Sequence, residues 1–269
     1  MKVFLVHADD GPGMAGRRET AVALARSVGG HVTLLVNTPF QRFVAMDPFG
    51  GAYLATEAFA EAKAHDAALV ARLNEDMARS GVSHDVISAD NEAVGALASA
   101  ASLADLAVVA LAGAGSARAD AKPMLAGDLA LAAPIPVLAL PETHAGLDPH
   151  GPALVAWNGR AEAAAALRAA MPLLTGRAIT LLRIGADDGP ITDAAALAYL
   201  ARNGVTATLQ VENTGSLSPG EMIEQYALAK NEALVVMGAF GRSRLRETLF
   251  GGVTQYLLNS ARVPLLLAH

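Results

Sequence analysis

The chain of 269 residues contains no cysteine, and only 4% of its residues are aromatic. The absence of cysteine excludes disulfide bonds, zinc-thiolate sites and iron–sulfur clusters, and it is compatible with a reducing cytoplasm. We see no apolar stretch long enough for a membrane helix, and the run after Met1 and Lys2 is too short for a signal peptide. We therefore expect a cytoplasmic protein that has no membrane partner.

Positive charge is also scarce, because 20 Lys and Arg stand against 26 Asp and Glu, which gives a formal net charge of −6. A nucleic-acid surface needs clustered Lys and Arg, so we expect no nucleic-acid partner. The motifs Gly-x4-Gly-Lys-Ser/Thr and Gly-x-Ser-x-Gly are absent, which argues against a Walker NTPase and a serine hydrolase. We find no carboxylate pair with an acid–base spacing, and thus no recognisable catalytic machinery.

Apolar residues make up 53% of the chain, and they form short runs that alternate with helical patterns. Alternating strands and helices predict a parallel, doubly wound sheet with right-handed crossovers. The pattern occurs twice, since Thr33-Leu34-Leu35 matches Thr180-Leu181-Leu182 and the Ile135-Pro136 strand matches the Val263-Pro264 strand. The sequence therefore predicts two repeated halves.

We assign two doubly wound, five-stranded parallel-sheet domains of class α/β to residues 1–141 and 152–269, joined by a linker at 142–151. The first copy is longer, and the surplus falls on a segment between Thr38 and Thr56 that is rich in Phe, Pro and Gly. We expect no regular element in this segment, because it is too rich in Pro and Gly. It is either a lid over a small apolar ligand or an ordinary insertion that packs on its own domain.

A glycine pattern near the C-terminus organises the second copy. The apolar run 233–237 ends at Gly238, Gly241 follows, and the stretch Gly251–Thr254 then opens an amphipathic helical segment. Glycines let backbone N–H groups approach an anion, and a helix N-terminus adds partial positive charge. The pattern indicates either a phosphate cradle or two tight turns that need a positive φ.

The spacing Gly-x2-Gly-x9-Gly, after a strand and before a helix, resembles the nucleotide-binding signature of the universal stress protein family. Gly241-Arg242-Ser243 and Val263-Pro264-Leu265-Leu266 also resemble family segments. The resemblance implies a tandem protein with an adenine nucleotide alpha-hydrolase-like fold and strand order 3-2-1-4-5. It also implies that ATP or AMP binds in the second half, between the ends of its first and fourth strands.

The resemblance assigns the nucleotide to one set of residues: Asn158, Ile184, Met237, Gly238, Gly241, Arg242, Gly251, Gly252, Val253 and Thr254. Gly252 stands where ATP-binding members usually carry Ser or Thr, and Asn158 stands where they usually carry Asp. Asn158 lacks the charge that helps to hold a metal ion, so Mg²⁺ binding is weakened. It can instead serve an Asx-turn before Gly159, and Ile184 can be a plain core residue.

The first half lacks the signature, because Gly127 is followed by Asp128, whose charge opposes a phosphate. We expect this half to bind no nucleotide in the family manner. Family members pair through their last strands, so an internal pseudo-dimer through the regions of Val137 and Leu265, or a homodimer, is also implied.

Two functions follow from these observations. The first is a stress-response regulatory protein that binds an adenine nucleotide, with slow ATP hydrolysis at most. The alternative is a stress or scaffold protein that binds no nucleotide and uses the fold for dimerisation or partner binding.

The nucleotide hypothesis predicts that Gly238→Val or Gly251→Asp abolishes the binding of ATP and AMP, because each change blocks the approach of a phosphate. Equilibrium binding checks this, and variants that bind like the wild type would overturn the site assignment.

Overall fold

The computed structural model describes residues 1–46, 52–111, 125–186, 189–213, 215–239 and 252–269. The strands of the first half are β1 (Val3–Ala8), β2 (His31–Asn37), β3 (Val44–Met46), β4 (Ala52–Leu54), β5 (Ser83–Ala89), β6 (Leu106–Leu111) and β7 (Val137–Pro141). Its helices are α1 (Met14–Val28), α2 (Thr56–Ser80), α3 (Ala93–Ala101) and α4 (Leu125–Ala132).

The second half repeats the alternation of strands and helices. Its strands are β8 (Ala153–Trp157), β9 (Ile179–Ile184), β10 (Ala207–Glu212), β11 (Leu234–Gly238) and β12 (Leu265–Ala268). Its helices are α5 (Ala161–Leu174), α6 (Asp193–Arg202), α7 (Pro219–Ala229) and α8 (Gly252–Ser260).

Ten strands form one continuous sheet in the order β10-β9-β8-β11-β12-β7-β6-β1-β2-β5. Within each half the strands are parallel and follow the order 3-2-1-4-5, so the predicted α/β class and strand order are confirmed. The two five-stranded sheets are the halves of this larger sheet. The domain boundaries stay predictions, because a continuous sheet offers no break at which to place them.

The halves meet through an antiparallel pair of β7 and β12, whose register has two-fold symmetry. Leu138 pairs with Leu266, and on either side Val137 pairs with Leu267 and Ala139 with Leu265. Leu138 and Leu266 occupy the same place in the two copies, so a pseudo-two-fold axis passes between them. One apolar core lies on each face of the sheet and contains residues of both halves.

Local signals in the sequence explain several helix ends. Ser218 and Glu221 exchange side-chain-to-backbone hydrogen bonds in a capping box at the start of α7, as their spacing predicts. The helix α2 ends at Gly81, whose φ of +69° lies in the left-handed region that favours glycine. Within the described residues, no helix combines the length and hydrophobicity that a membrane span requires.

The Phe-, Pro- and Gly-rich segment after Thr38 does contain regular structure, so that prediction was wrong. A 3-10 turn covers Phe40–Phe43, and β3 pairs antiparallel with β4 in a short hairpin. The rings of Phe40 and Phe43 lie 5.5 and 5.3 Å from that of Phe59, edge to face. This aromatic packing on α2 stabilises the segment, as expected of an insertion that packs on its own domain.

The segment between β7 and β8 packs on α1. A Cβ atom built on Gly16 would lie 2.0 Å from the carbonyl oxygen of His144. Leu147 donates its backbone N–H to Thr20 Oγ1 at 2.9 Å, and the Leu147 side chain is 5% exposed. This part of the predicted linker forms no helix or strand, and it is held against the first half.

Gly16→Ala should destabilise the protein by about 1–3 kcal/mol, because its new methyl group overlaps the His144 carbonyl. Gly95→Ala is the matched control in α3, where a Cβ atom meets no other atom within 4 Å. The control should be more stable than the wild type by up to about 1 kcal/mol, because alanine has a higher helix propensity than glycine. Urea denaturation measures both, and equal midpoints would contradict the packing described here.

Candidate functional site

A cavity of about 370 Å³ lies in the second half, at the carboxyl ends of β8, β9 and β11. The strand order reverses between β8 and β11, which is where open α/β sheets bind ligands. The volume of the cavity falls within the range of about 300–1,000 Å³ that is usual for small-molecule sites. The cavity therefore lies where a doubly wound sheet leaves room for a ligand.

The structure brings together the predicted site residues that it describes. Those lining the cavity are Asn158, Ile184, Met237, Gly238, Gly252, Val253 and Thr254. The other three, Gly241, Arg242 and Gly251, lie outside the described residues. Ligand binding by this set stays a prediction.

Other lining residues were missed from the sequence, among them Arg160, Glu162, Pro219 and Ile223. Arg160 and Glu162 directly follow the end of β8, so their place beyond a central strand was a usable signal. Pro219 and Ile223 lie one turn apart on α7, and only the tertiary structure brings that helix to the cavity.

Two helices begin at the cavity. The first residue of α8, Gly252, lines it, and the first turn of α8 contains no acidic residue. Thr254 follows in the same turn and is 5% exposed. The first turn of α5 also lies at the cavity and contributes Glu162, a half-buried residue. The N–H groups of α8 favour an anion, whereas the Glu162 carboxylate opposes one.

Gly238 is required by helix packing. A Cβ atom built there would lie 2.5 Å from the carbonyl carbon of Glu162 and 2.6 Å from the Ala163 nitrogen. Neither Gly238 nor Gly252 has a positive φ, so the interpretation as tight turns does not hold for these two. At Gly252 a Cβ atom meets no atom of the described residues within 4 Å. The two glycines thus have different roles.

Asn158 serves a turn at the end of β8. Its Oδ1 accepts a hydrogen bond from the backbone N–H of Arg160 at 3.1 Å, which is the Asx-turn geometry. Gly159 has a φ of +67°, and a Cβ atom on Gly189 would lie 2.5 Å from the Gly159 Cα. The turn is therefore locked, and one side-chain oxygen of Asn158 is already used.

The loop after β9 is tied beside Ile184. Arg183 Nε donates to Asp193 Oδ2 at 2.7 Å, and the same guanidinium donates to the Gly185 carbonyl. Gly185 in turn donates its N–H to the carbonyl of Glu212 at 2.8 Å. These bonds hold the wall that Ile184 contributes to the cavity.

The corresponding crevice of the first half contains an internal ion pair. Arg17, 1% exposed, donates to Asp9 Oδ1 at 2.6 Å and to the carbonyl of His7 at 3.1 Å. Burial alone would raise the pKa of Asp9, but the Arg17 charge and His7 outweigh it, and the pKa is lowered. Burial lowers the pKa of His7. This crevice already satisfies its charges.

Within the part of the chain that the structure describes, no group of three or more His, Asp or Glu is placed to hold a metal ion.

Fold and cavity define an α/β protein of two repeated halves, with a ligand-sized cavity at the switch point of the second. Residues 186–269 match the model of the universal stress protein family. A universal stress protein from Archaeoglobus fulgidus DSM 4304 superposes with a TM-score of 0.73 at 14% identity, over 99% of this chain and 97% of that one. No curated protein sequence matches the chain.

A functionally unknown protein from Pseudomonas aeruginosa PAO1 has a TM-score of 0.62 at 17% identity, and the match covers 100% of this chain and 92% of that one. Likeness at such identities shows the fold alone. The family match itself covers residues 186–269, and the likeness over the whole chain shows that both halves share the fold of these structures.

Gly238→Ala should lower the stability by about 1–3 kcal/mol, because the methyl group overlaps the first turn of α5. The free energy of unfolding of Gly252→Ala should stay within about 0.5 kcal/mol of that of the wild type, since no described residue lies within 4 Å of the added methyl group. Urea denaturation separates the two, and a stable Gly238→Ala protein would contradict this account. Gly238→Val consequently tests packing as much as binding, so Gly251→Asp remains the cleaner of the two variants proposed from the sequence.

Proposed function

We propose that this chain is a stress-response protein of the cytoplasm that binds an adenine nucleotide, ATP or AMP, in the cavity of its second half. The proposal rests on one observation. Seven residues chosen from sequence, far apart along the chain, line a single cavity at the switch point, and α8 begins at its edge.

The phosphate end of the nucleotide would lie against the start of α8. No described residue fills the space beside Gly252, and Val253 and Thr254 continue the first turn, whose N–H groups have no partner inside the helix. The Thr254 hydroxyl adds one polar group at the same place. These residues fit a phosphate group.

The base end would lie against the apolar wall of the cavity. Leu182 and Ile184 of β9 and Ile223 of α7 line this part. Such a wall suits a flat, weakly polar base. The Arg183–Asp193 pair and the Gly185 bonds hold the β9 end in place, so the wall is preorganised.

Catalysis would be weak at most. The described lining residues supply one carboxylate, that of Glu162, and an Asn158 oxygen that a turn already uses. Mg²⁺ prefers carboxylate and phosphate oxygens in octahedral geometry, so this donor set gives it weak support. The nucleotide would act as a regulatory ligand.

The alternative, a scaffold protein without a nucleotide, has its own support. Glu162 places negative charge at the cavity, and packing on α5 by itself accounts for Gly238. In either case we propose that the β7–β12 contact makes an internal pseudo-dimer. A homodimer would then need another surface, which sedimentation velocity would reveal.

Isothermal titration should show binding of AMP and ATP to the wild type. Glu162→Gln should tighten ATP binding by about two- to fivefold, because it removes a negative charge near the phosphates. Glu75→Gln, an exposed carboxylate on α2, is the matched control and should change nothing. The affinity for ATP should increase more than the affinity for AMP, because ATP carries more negative charge.

Absence of binding at millimolar nucleotide, with no nucleotide found by native mass spectrometry of fresh protein, would favour the scaffold alternative. Equal affinities of wild type and Glu162→Gln would place the phosphates elsewhere.

A further inference from the structure

A second cavity, of about 600 Å³, lies at the junction of the two halves. One wall is the outer face of α5, with Ala165, Arg168 and Ala169. The opposite wall is the segment 131–136, which runs from the end of α4 towards β7, and Ala268 and His269 border the cavity at the end of β12. We name this cavity the α5 groove.

The pseudo-two-fold axis gives the α5 groove a counterpart on α1. Leu5 and Leu154 are equivalent, because they pair with Thr33 and Thr180 of the repeated Thr-Leu-Leu motif. The offset between these two leucines is 154 − 5 = 149, and on the following helices it places Gly16, Glu19 and Thr20 at the positions of Ala165, Arg168 and Ala169. The two grooves therefore have a common origin in the repeat.

The α1 groove is filled by the chain itself. The segment 142–147 leaves β7 and crosses α1, where the His144 carbonyl lies against Gly16 and the Leu147 N–H bonds to Thr20. A Cβ atom on Gly13 would lie 3.0 Å from the Glu142 Cα, so the contact extends over two turns. The segment contains no helix or strand. The fold thus already uses one of the two grooves to hold an irregular peptide segment.

The α5 groove is open by comparison. Gly16 and Thr20 are buried, whereas Ala165 and Ala169 are half-buried, and Leu131 across the groove is 38% exposed. Arg168 is exposed, and it makes no ion pair within the described part of the chain. A groove of mixed polar and apolar lining, with a cation at its edge, is thus left open at the position equivalent to the filled one.

We propose that the α5 groove binds an acidic, non-helical segment of a partner protein. The filled α1 groove shows the shape of the occupant, a segment that crosses the helix and buries a leucine. Arg168 occupies the position equivalent to Glu19, and its positive charge favours an acidic occupant. The alanines at 165 and 169 hold the segment farther from the helix than Gly16 and Thr20 do. Binding is therefore weaker than in the α1 groove, as suits a reversible partner.

The probe is a fluorescein-labelled peptide with the sequence of residues 142–150, Glu-Thr-His-Ala-Gly-Leu-Asp-Pro-His, which carries two carboxylates. Fluorescence anisotropy should show saturable binding to the full chain. Arg168→Glu should weaken it at least about tenfold. Arg202→Glu makes the same charge change on the exposed end of α6 and should leave binding within about twofold.

A gain-of-function variant tests the symmetry argument. Ala165→Gly with Ala169→Thr gives α5 the surface that α1 presents, and it should tighten binding of the same peptide about fivefold. Urea midpoints establish that every variant is folded. Tighter binding by the double variant would show that the shape of the groove matters. General attraction between charges cannot explain it, because the double variant changes no charge.

Lack of saturable binding at millimolar peptide would overturn the proposal, and so would equal binding by wild type and Arg168→Glu. A double variant that binds no better would refute the equivalence of the grooves. Sedimentation velocity tests whether a second copy of this chain occupies the groove instead. A dimer that Arg168→Glu dissociates would show that a second copy of this chain covers the groove.

Discussion

The antiparallel pairing of β7 with β12 is the interaction on which the rest of the structure depends. It joins two parallel five-stranded sheets into one, and its register around Leu138 and Leu266 creates the pseudo-two-fold axis. Because of this axis, both copies of the first helix flank the junction on one face of the sheet. The linker then covers only one of them, so two halves built alike become unequal.

The candidate site depends on a second close contact, that of α5 with the end of β11. Gly238 lets the first turn of α5 approach the strand, and this places Glu162 at the same cavity as the start of α8. The same contact that completes the core thus brings a carboxylate to a site proposed for phosphate. The balance between the helix N-terminus and this carboxylate decides how much negative charge a ligand can carry.

Much of the fold was predictable because its signals are local or repeated. Buried Val and Leu runs marked the strands, and Ser218 and Glu221 marked a helix start. The hairpin after Thr38 was missed, since its stability comes from Phe40 and Phe43 packing on Phe59 of α2, and composition does not show such contacts. The family resemblance, together with the glycine spacing, assigned seven of the described residues that line the cavity but not the reason for each glycine.

The sequence by itself determined the order of strands and helices, the repeat and the end of the sheet where a ligand would lie. These follow from periodicity and from the geometry of parallel strands. Only the tertiary structure decided that Gly238 serves packing, that Asn158 closes a turn and that Arg17 neutralises Asp9 in the first half. The Gly238 and Arg17 contacts join different elements, and their approach depends on how the helices pack on the sheet. The Asx-turn was one of two roles that the sequence left open for Asn158, and the observed hydrogen bond decided between them.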